Sequence, residues 1–330
     1  MEQANQIQVS QNLGRPIISK GSHPIETGRY LLATNEIQKL YLKIQQCLNN
    51  RFPGAIIYGR PRLGKTRAIK YLTHILPNEF DGLPIYFITC RKYKNPNEAV
   101  FFEDLLIDVG HGTPFSGKAN VKRQRLLKFL IQEAEVSRQK RIVLFIDDAQ
   151  RLHEIQYGWL MDINNELDRF GVSLTVFLVG QQELLDQRSV FLELGQAQII
   201  GRFMVQQHKF EGVCNRSDMY ECLLGYDEDC EFPSNSGVSF TKYYFPDAFV
   251  HGFRLAKYTD ELMEIYTEMR REAGLSSRFE IPMQYLTLAI EFALKKYGVE
   301  GEDLNSISKT QWIDAIKYSS YIESELYSAI

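Results

Sequence analysis

Short unbroken apolar runs alternate with longer stretches in which apolar residues recur every three or four positions, and this alternation lasts from about residue 35 to residue 210. Ala55–Tyr58, Ile85–Thr89, Ile142–Ile146 and Leu174–Val179 are too short for helices and carry no polar alternation. They predict strands buried on both faces of a parallel sheet. Between them, Ile37, Leu40, Tyr41, Ile44, Cys47 and Leu48 draw an apolar stripe that predicts a helix ending near Asn49-Asn50 and Pro53. Similar spacing predicts helices over Arg67–Leu76, over Val100–Val109, from Val121 to about Glu135 and from Trp159 to Phe170, with Val121, Leu127, Leu130, Ile131 and Ala134 facing the core. Met204–Phe210 is read as a last strand. Strands alternating with helices define an α/β fold with helices on both faces, whose ligands sit at the carboxyl ends of the strands.

On either side the texture changes. Residues 1–30, with Pro16, Pro24 and little periodicity, are expected to form a tail that orders mainly by packing on something else, and 31–210 the core. Residues 211–253 have weak periodicity, and Asp218–Glu231, flanked by Tyr220 and Tyr226, is read as an acidic solvated loop rather than a docking surface. Residues 254–330 return to helical spacing. Leu255, Tyr258, Leu262, Ile265, Tyr266 and Met269 mark one helix, and Met283, Leu286, Ile290, Ala293 and Leu294 mark another, closed by Gly298. Ser308 and Gln311 stand in capping-box spacing ahead of a last helix carrying Trp312, Ile316, Ile322 and Leu326.

Composition narrows the setting. A chain of 330 residues suggests two domains, and a net charge of -3 gives no global reason to bind nucleic acid, so any such site must be local. The polar start lacks the basic and apolar regions of a leader, and no apolar run approaches the roughly 20 residues of a membrane helix. The 5 cysteines are odd in number and scattered, which predicts reduced thiols in a cytoplasmic protein. Cys214, Cys222 and Cys230 with His208 and His251 lack the spacing of a zinc site.

The chemistry concentrates at Gly59-Arg60-Pro61-Arg62-Leu63-Gly64-Lys65-Thr66, which leads from the first strand into a helix that opens with Arg67. This is G-x-x-x-x-G-K-[ST] in the context the motif requires. Glycines let backbone amides approach phosphate oxygens, the helix start adds positive potential, Lys65 supplies a charge for the β- and γ-phosphates, and Thr66 offers its hydroxyl to Mg²⁺. Asp147 ends a buried strand, where a carboxylate is costly unless it faces a cation or a water cluster, and beside a phosphate loop it is the second expected Mg²⁺ ligand, direct or through water. Charge developing on the γ-phosphate can be stabilised by a further arginine from a neighbouring subunit. Arg202, in Gly201-Arg202-Phe203, is preferred over Arg188, and Gln181 at a strand end is a candidate contact to the γ-phosphate or to water.

Gly59–Thr66, Ile142–Gln150 with its Asp-Asp-Ala-Gln ending, Val179-Gly180-Gln181 and Gly201-Arg202-Phe203, followed by a helical region, resemble an AAA+ ATPase. More narrowly they resemble the TnsC/TniB-type regulators of DNA transposition, including those of CRISPR-associated transposons. The resemblance spans roughly residues 30 to 330. It implies a P-loop NTPase core with a C-terminal all-α lid, ATP as the nucleotide, and a homo-oligomeric ring or filament on double-stranded DNA that links target-selection proteins to a transposase. Asp148 stands where such ATPases usually carry Glu, one methylene longer, which implies slow, regulatory hydrolysis. Replication initiators and helicase loaders share the core pattern and are the alternative. A signalling NTPase switch that oligomerises without DNA is the second alternative.

A DNA site is expected where Arg91, Lys92, Lys94, Lys118, Lys122, Arg123, Arg125 and Lys128 outnumber Glu98, Glu103, Asp104 and Asp108. Within it, Lys118, Asn120, Lys122 and Arg123 form a flexible turn and helix start suited to phosphate contacts repeated around an oligomer.

Overall fold

The structure, a computed structural model, describes residues 15–137 and 139–328. The first part of the expected tail, residues 1–14, lies outside the described residues. The chain divides into two compact units, one being Lys39–Phe210 and the other combining the described residues before Lys39 with those from Glu211 onward.

In chain order, α1 (Pro24–Thr27) and α2 (Asn35–Asn49) lead to β1 (Gly54–Tyr58), α3 (Lys65–Glu79), β2 (Ile85–Thr89), α4 (Glu98–Asp108) and α5 (Ala119–Val136). Then come β3 (Arg141–Asp147), α6 (Glu154–Arg169), β4 (Ser173–Gly180), α7 (Glu183–Glu193) and the short α8 (Ala197–Ile199). A π-turn over Ile200–Met204 and β5 (Gln206–Lys209) complete the first unit. The five strands are parallel in the order β2-β3-β4-β1-β5. β3, β4 and β1 are central, and their residues pack on both faces; Phe145 stacks on Phe177 at 4.8 Å between ring centroids. Each such ring buried contributes about 2–3 kcal/mol.

β2 is an edge strand, so Ile85, Tyr86 and Phe87 are only half-buried, less than their sequence predicts. The expected strand from Met204 begins only at Gln206, because the π-turn takes Met204. Val121 is exposed at the first turn of α5, and Phe170 lies beyond the end of α6, also exposed. At the amino ends of β3 and β4, buried Arg141 donates from Nη1 to the Leu48 carbonyl at 2.7 Å and thereby caps the last turn of α2.

The second unit is helical: α9 (Arg216–Leu224), α10 (Phe240–Tyr244), α11 (Pro246–Val250), α12 (Thr259–Glu272), α13 (Met283–Tyr297), α14 (Lys309–Tyr318) and α15 (Tyr321–Ser328). Its core joins Ile25 and Leu32 to Met219, Tyr226, Tyr244, Leu255, Tyr266, Ile290 and Trp312. This bears on two expectations. The end of the expected tail packs into this core: His23 and Ile25 are buried, and the His23 side chain caps α1. Residues 211–253 are not an irregular loop, since α9 and α10 run through them and Met219, Cys222, Tyr226 and Tyr244 belong to the core. Asp227, in the supposed solvated stretch, is buried and accepts the Leu255 and Ala256 amides at 3.0 and 2.9 Å. The capping box of Ser308 and Gln311 forms, but the last helix breaks at Ser320, whose φ of 58° ends α14 before α15 begins. Among the described residues no helix is long and apolar enough to cross a membrane.

Candidate nucleotide site

β1 delivers the chain into Gly59–Gly64, and α3 starts at Lys65. A Cβ on Gly59 would stand 2.3 Å from the Phe210 carbonyl oxygen, so this position admits only glycine. Arg62 and Gly64 both have left-handed backbone, φ 66° and 101°, on either side of buried Leu63. Such alternation is the kind that forms anion-holding amide nests, here ahead of a helix of 15 residues. Lys65 is 9% exposed, and its Nζ donates to the carbonyls of Gly59 at 2.8 Å and Arg60 at 2.7 Å. Pro61, Arg62 and Arg67 face solvent, and Arg60 is half-buried.

Parallel strands bring two distant oxygen groups together. Thr66 Oγ1 donates to Asp147 Oδ2 at 2.7 Å, joining the start of α3 to the carboxyl end of β3 across 81 residues of sequence. A hydroxyl and a carboxylate so placed are the hard oxygen donors that Mg²⁺ takes, and the site therefore fits that ion. The other Asp147 oxygen accepts the Asp148 amide at 3.0 Å.

Asp148 follows with a left-handed φ of 54°. Its Oδ1 accepts from Gln150 Nε2 at 3.2 Å, and its Oδ2 pairs with Arg151 Nη2 at 3.0 Å. Each of these partners reaches a neighbouring strand end. Gln150 Oε1 accepts the Gln181 amide, 3.4 Å away at the end of β4, while Arg151 Nη1 donates to the Cys90 carbonyl, 3.3 Å away just past β2. Burial pushes the Cys90 thiol up to about 12, with the nearby Arg151 working against the rise. Gln150 and Arg151 had no role assigned from sequence, although Gln150 closes the Asp-Asp-Ala-Gln run.

Arg202 lies elsewhere. It precedes β5, and its carbonyl oxygen would be 2.7 Å from a Cβ on Gly54, the first residue of β1. The phosphate loop leaves the other end of β1, roughly 15 Å away by strand rise. Arg188, on α7, has its Nε buried without a hydrogen-bond partner.

The expected DNA patch is only partly available. Lys122 is 5% exposed and ion-paired with Glu103 across the α4–α5 pair, so its charge is spent inside the unit, contrary to the expectation of a phosphate contact. Arg123 lies 3.6 Å from Glu98 and 3.5 Å from Asp162, and Arg91 pairs with Asp104 and Asp108. Arg125 donates to the Thr113 and Ser116 carbonyls and pins the loop before α5. Asn120 accepts its neighbour's amide. Lys118 is exposed just ahead of α5, as are Lys92 and Lys94 in the loop after β2 and Lys128 on α5.

The strand order, the glycine-rich loop between β1 and α3, and the carboxylate at the end of β3 define the AAA+ P-loop fold, with a helical C-terminal region. Residues 53–187 match the family model described as an AAA domain. No curated protein matches the chain. Among solved structures, the Aeropyrum pernix ORC2 protein in ADPNP–ADP complexes is similar at a TM-score of 0.57 and 15% identity, covering 93% of this chain and 74% of that one. The Aeropyrum pernix ORC1 protein in complex with DNA reaches 0.48 at 15% identity, over 86% of this chain and 65% of that one. A Walker-type ATPase of Pyrococcus abyssi reaches 0.43 at 15% identity, over 88% and 99%.

Proposed function

We propose that the chain is an ATP-dependent assembly factor of the replication-initiator or helicase-loader type, acting as an oligomer on duplex DNA. The Thr66–Asp147 hydrogen bond beside Lys65 carries the reading, because it sets a nucleotide loop and two hard oxygen donors at one point. Lys65 exchanges two neutral carbonyls for phosphate oxygens, a charge-assisted and therefore stronger pairing. Bound Mg²⁺ supplies positive charge to the phosphate oxygens. Asp148 orients and deprotonates the attacking water, and Gln181 stands at the next strand end to contact it or the γ-phosphate. Arg202, too far from its own loop, serves the nucleotide of a neighbouring protomer, so that ATP joins copies of the chain.

Duplex binding falls to exposed Lys92, Lys94 and Lys118, repeated around the oligomer. Light scattering with a non-hydrolysable ATP analogue and duplex tests the reading: assembly should need both ligands. Lys65→Ala should weaken nucleotide binding about 100-fold. A chain that stays monomeric when saturated with both ligands overturns the proposal. The transposition-regulator reading, carried by the order of motifs from Gly59 to Phe203, shares this assembly step. It is separated by its partner, since the assembled chain would then capture a transposase rather than a helicase.

A further inference from the structure

The loop between α4 and α5 shows one large apolar ring to solvent. Phe115 is 70% exposed, and the backbone around it is fixed. Arg125 Nη1 donates to the carbonyls of Thr113 and Ser116 at 2.7 and 2.8 Å, and Gly117 turns the loop with a φ of 98°. Lys118 follows, also exposed. A ring held in place next to a cation is an anchor that needs no further ordering on binding. The same unit carries a receptor of matching chemistry. An open groove of about 740 Å³ has Pro96, Ile155, Trp159 and Ile199 in its lining, with Ile155 itself 55% exposed. Gly158 keeps it open, since a Cβ there would meet no atom within 4 Å. The rim is acidic. Asp162 is shared with Arg123, whereas Glu154 accepts from the neutral Gln196 at 2.6 Å, which leaves its charge in place.

Loop and groove lie side by side. Arg123, which stands 3.5 Å from Asp162 and 3.6 Å from Glu98, is separated from Lys118 by about one and a half turns of α5, roughly 7.5 Å of rise. Phe115 is exposed where the loop is pinned, so it does not fill its own groove. A protruding anchor beside an acidic apolar groove on one face is self-complementary about a two-fold axis. We infer that two copies of the chain pair about such an axis, each seating Phe115 in the other's groove with Lys118 against Glu154. The pairing uses neither the phosphate loop nor Arg202, so it is separate from the nucleotide-bound seam proposed above. Lys118 serves one partner at a time, and duplex therefore competes with the pairing.

Sedimentation of the full chain without nucleotide, over a range of concentrations, tests this. A reversible dimer should form, and Phe115→Ser and Gly158→Gln should each raise its Kd by about tenfold or more, the scale of losing a buried anchor. Gly158→Gln fills the groove from a helix position where glutamine is favoured over glycine, so the fold is kept. Lys118→Glu should weaken the dimer, and Glu154→Lys added to it should restore the affinity. Mixing a Phe115→Cys chain with an Ile155→Cys chain under mild oxidation should give a disulfide-linked pair that neither chain gives alone. Lys65→Ala should leave the dimer intact; its loss there would place the contact at the nucleotide seam and overturn the inference without touching the proposed function. A chain that is monomeric at every concentration, or a dimer indifferent to both Phe115→Ser and Gly158→Gln, also overturns it. So does a Phe115→Ser variant that loses duplex affinity and keeps its dimer, because the ring then serves DNA.

Discussion

His23 shows how much one side chain can carry. It caps α1 by accepting the Ile25 amide at 3.1 Å, and its ring lies among Phe232, Phe240, Tyr243 and Tyr244. Its Nε2 is buried without a partner. Burial, with Arg15 adding to it, pulls its pKa from 6.5 down to about 4. The unfolded chain therefore binds a proton that the folded chain refuses in this window, and stability falls as pH drops from 6.5 towards 4. The loss should be on the order of 2–3 kcal/mol, and none of it is incurred above the unfolded value. His23→Asn keeps a capping acceptor and removes the titration. Melting followed across this range should show a shallower slope for that variant than for the natural chain, and equal slopes would rule out the mechanism. None of this is visible in the sequence, where His23 stands in a proline-marked stretch with no periodicity, and the rings around it arrive from more than 200 residues away.

The α4–α5 pair illustrates what an element's spacing shows and what it hides. The helices were legible because Leu126, Leu127 and Leu130 repeat toward one side, and Phe102, Leu105 and Leu106 meet them from α4. Which charges remain outside was not legible, since Glu103 and Lys122 pair across a helix hairpin rather than along one helix. Lys122→Met should thus leave duplex affinity nearly unchanged while costing about 1–3 kcal/mol by stranding Glu103. Lys92→Glu with Lys94→Glu should do the reverse, weakening binding and lowering the slope of log affinity against log salt by about 2. Titrations at several salt concentrations, beside denaturant melts, distinguish the two. If Lys122→Met proved the stronger effect on DNA, the pairing with Glu103 would not describe the chain in solution.

Across the whole molecule, the position of Arg202 bears on the proposed assembly. At the amino end of the sheet it lies far from the loop at the carboxyl end, and under the proposed function it serves the nucleotide of another copy. Arg202→Ala should keep nucleotide affinity within about threefold while reducing turnover by 10³ or more, as loss of a trans-acting arginine does; turnover held at the natural level would reject it. The phosphate loop could be read directly because its residues are contiguous, and the backbone chemistry of Gly59, Gly64, Lys65 and Thr66 is local. The central strands could be read too, since burial on both faces leaves an unbroken apolar run. The acidic and aromatic stretch from Asp218 to Tyr244 could not, because its rings bury against partners from both ends of the chain and so follow no period of their own. The pairing of Thr66 with Asp147, the partners of Asp148 and the loss of Lys122 to Glu103 likewise emerge only on folding, for contacts between distant residues depend on strand order and helix pairing, which no local spacing encodes.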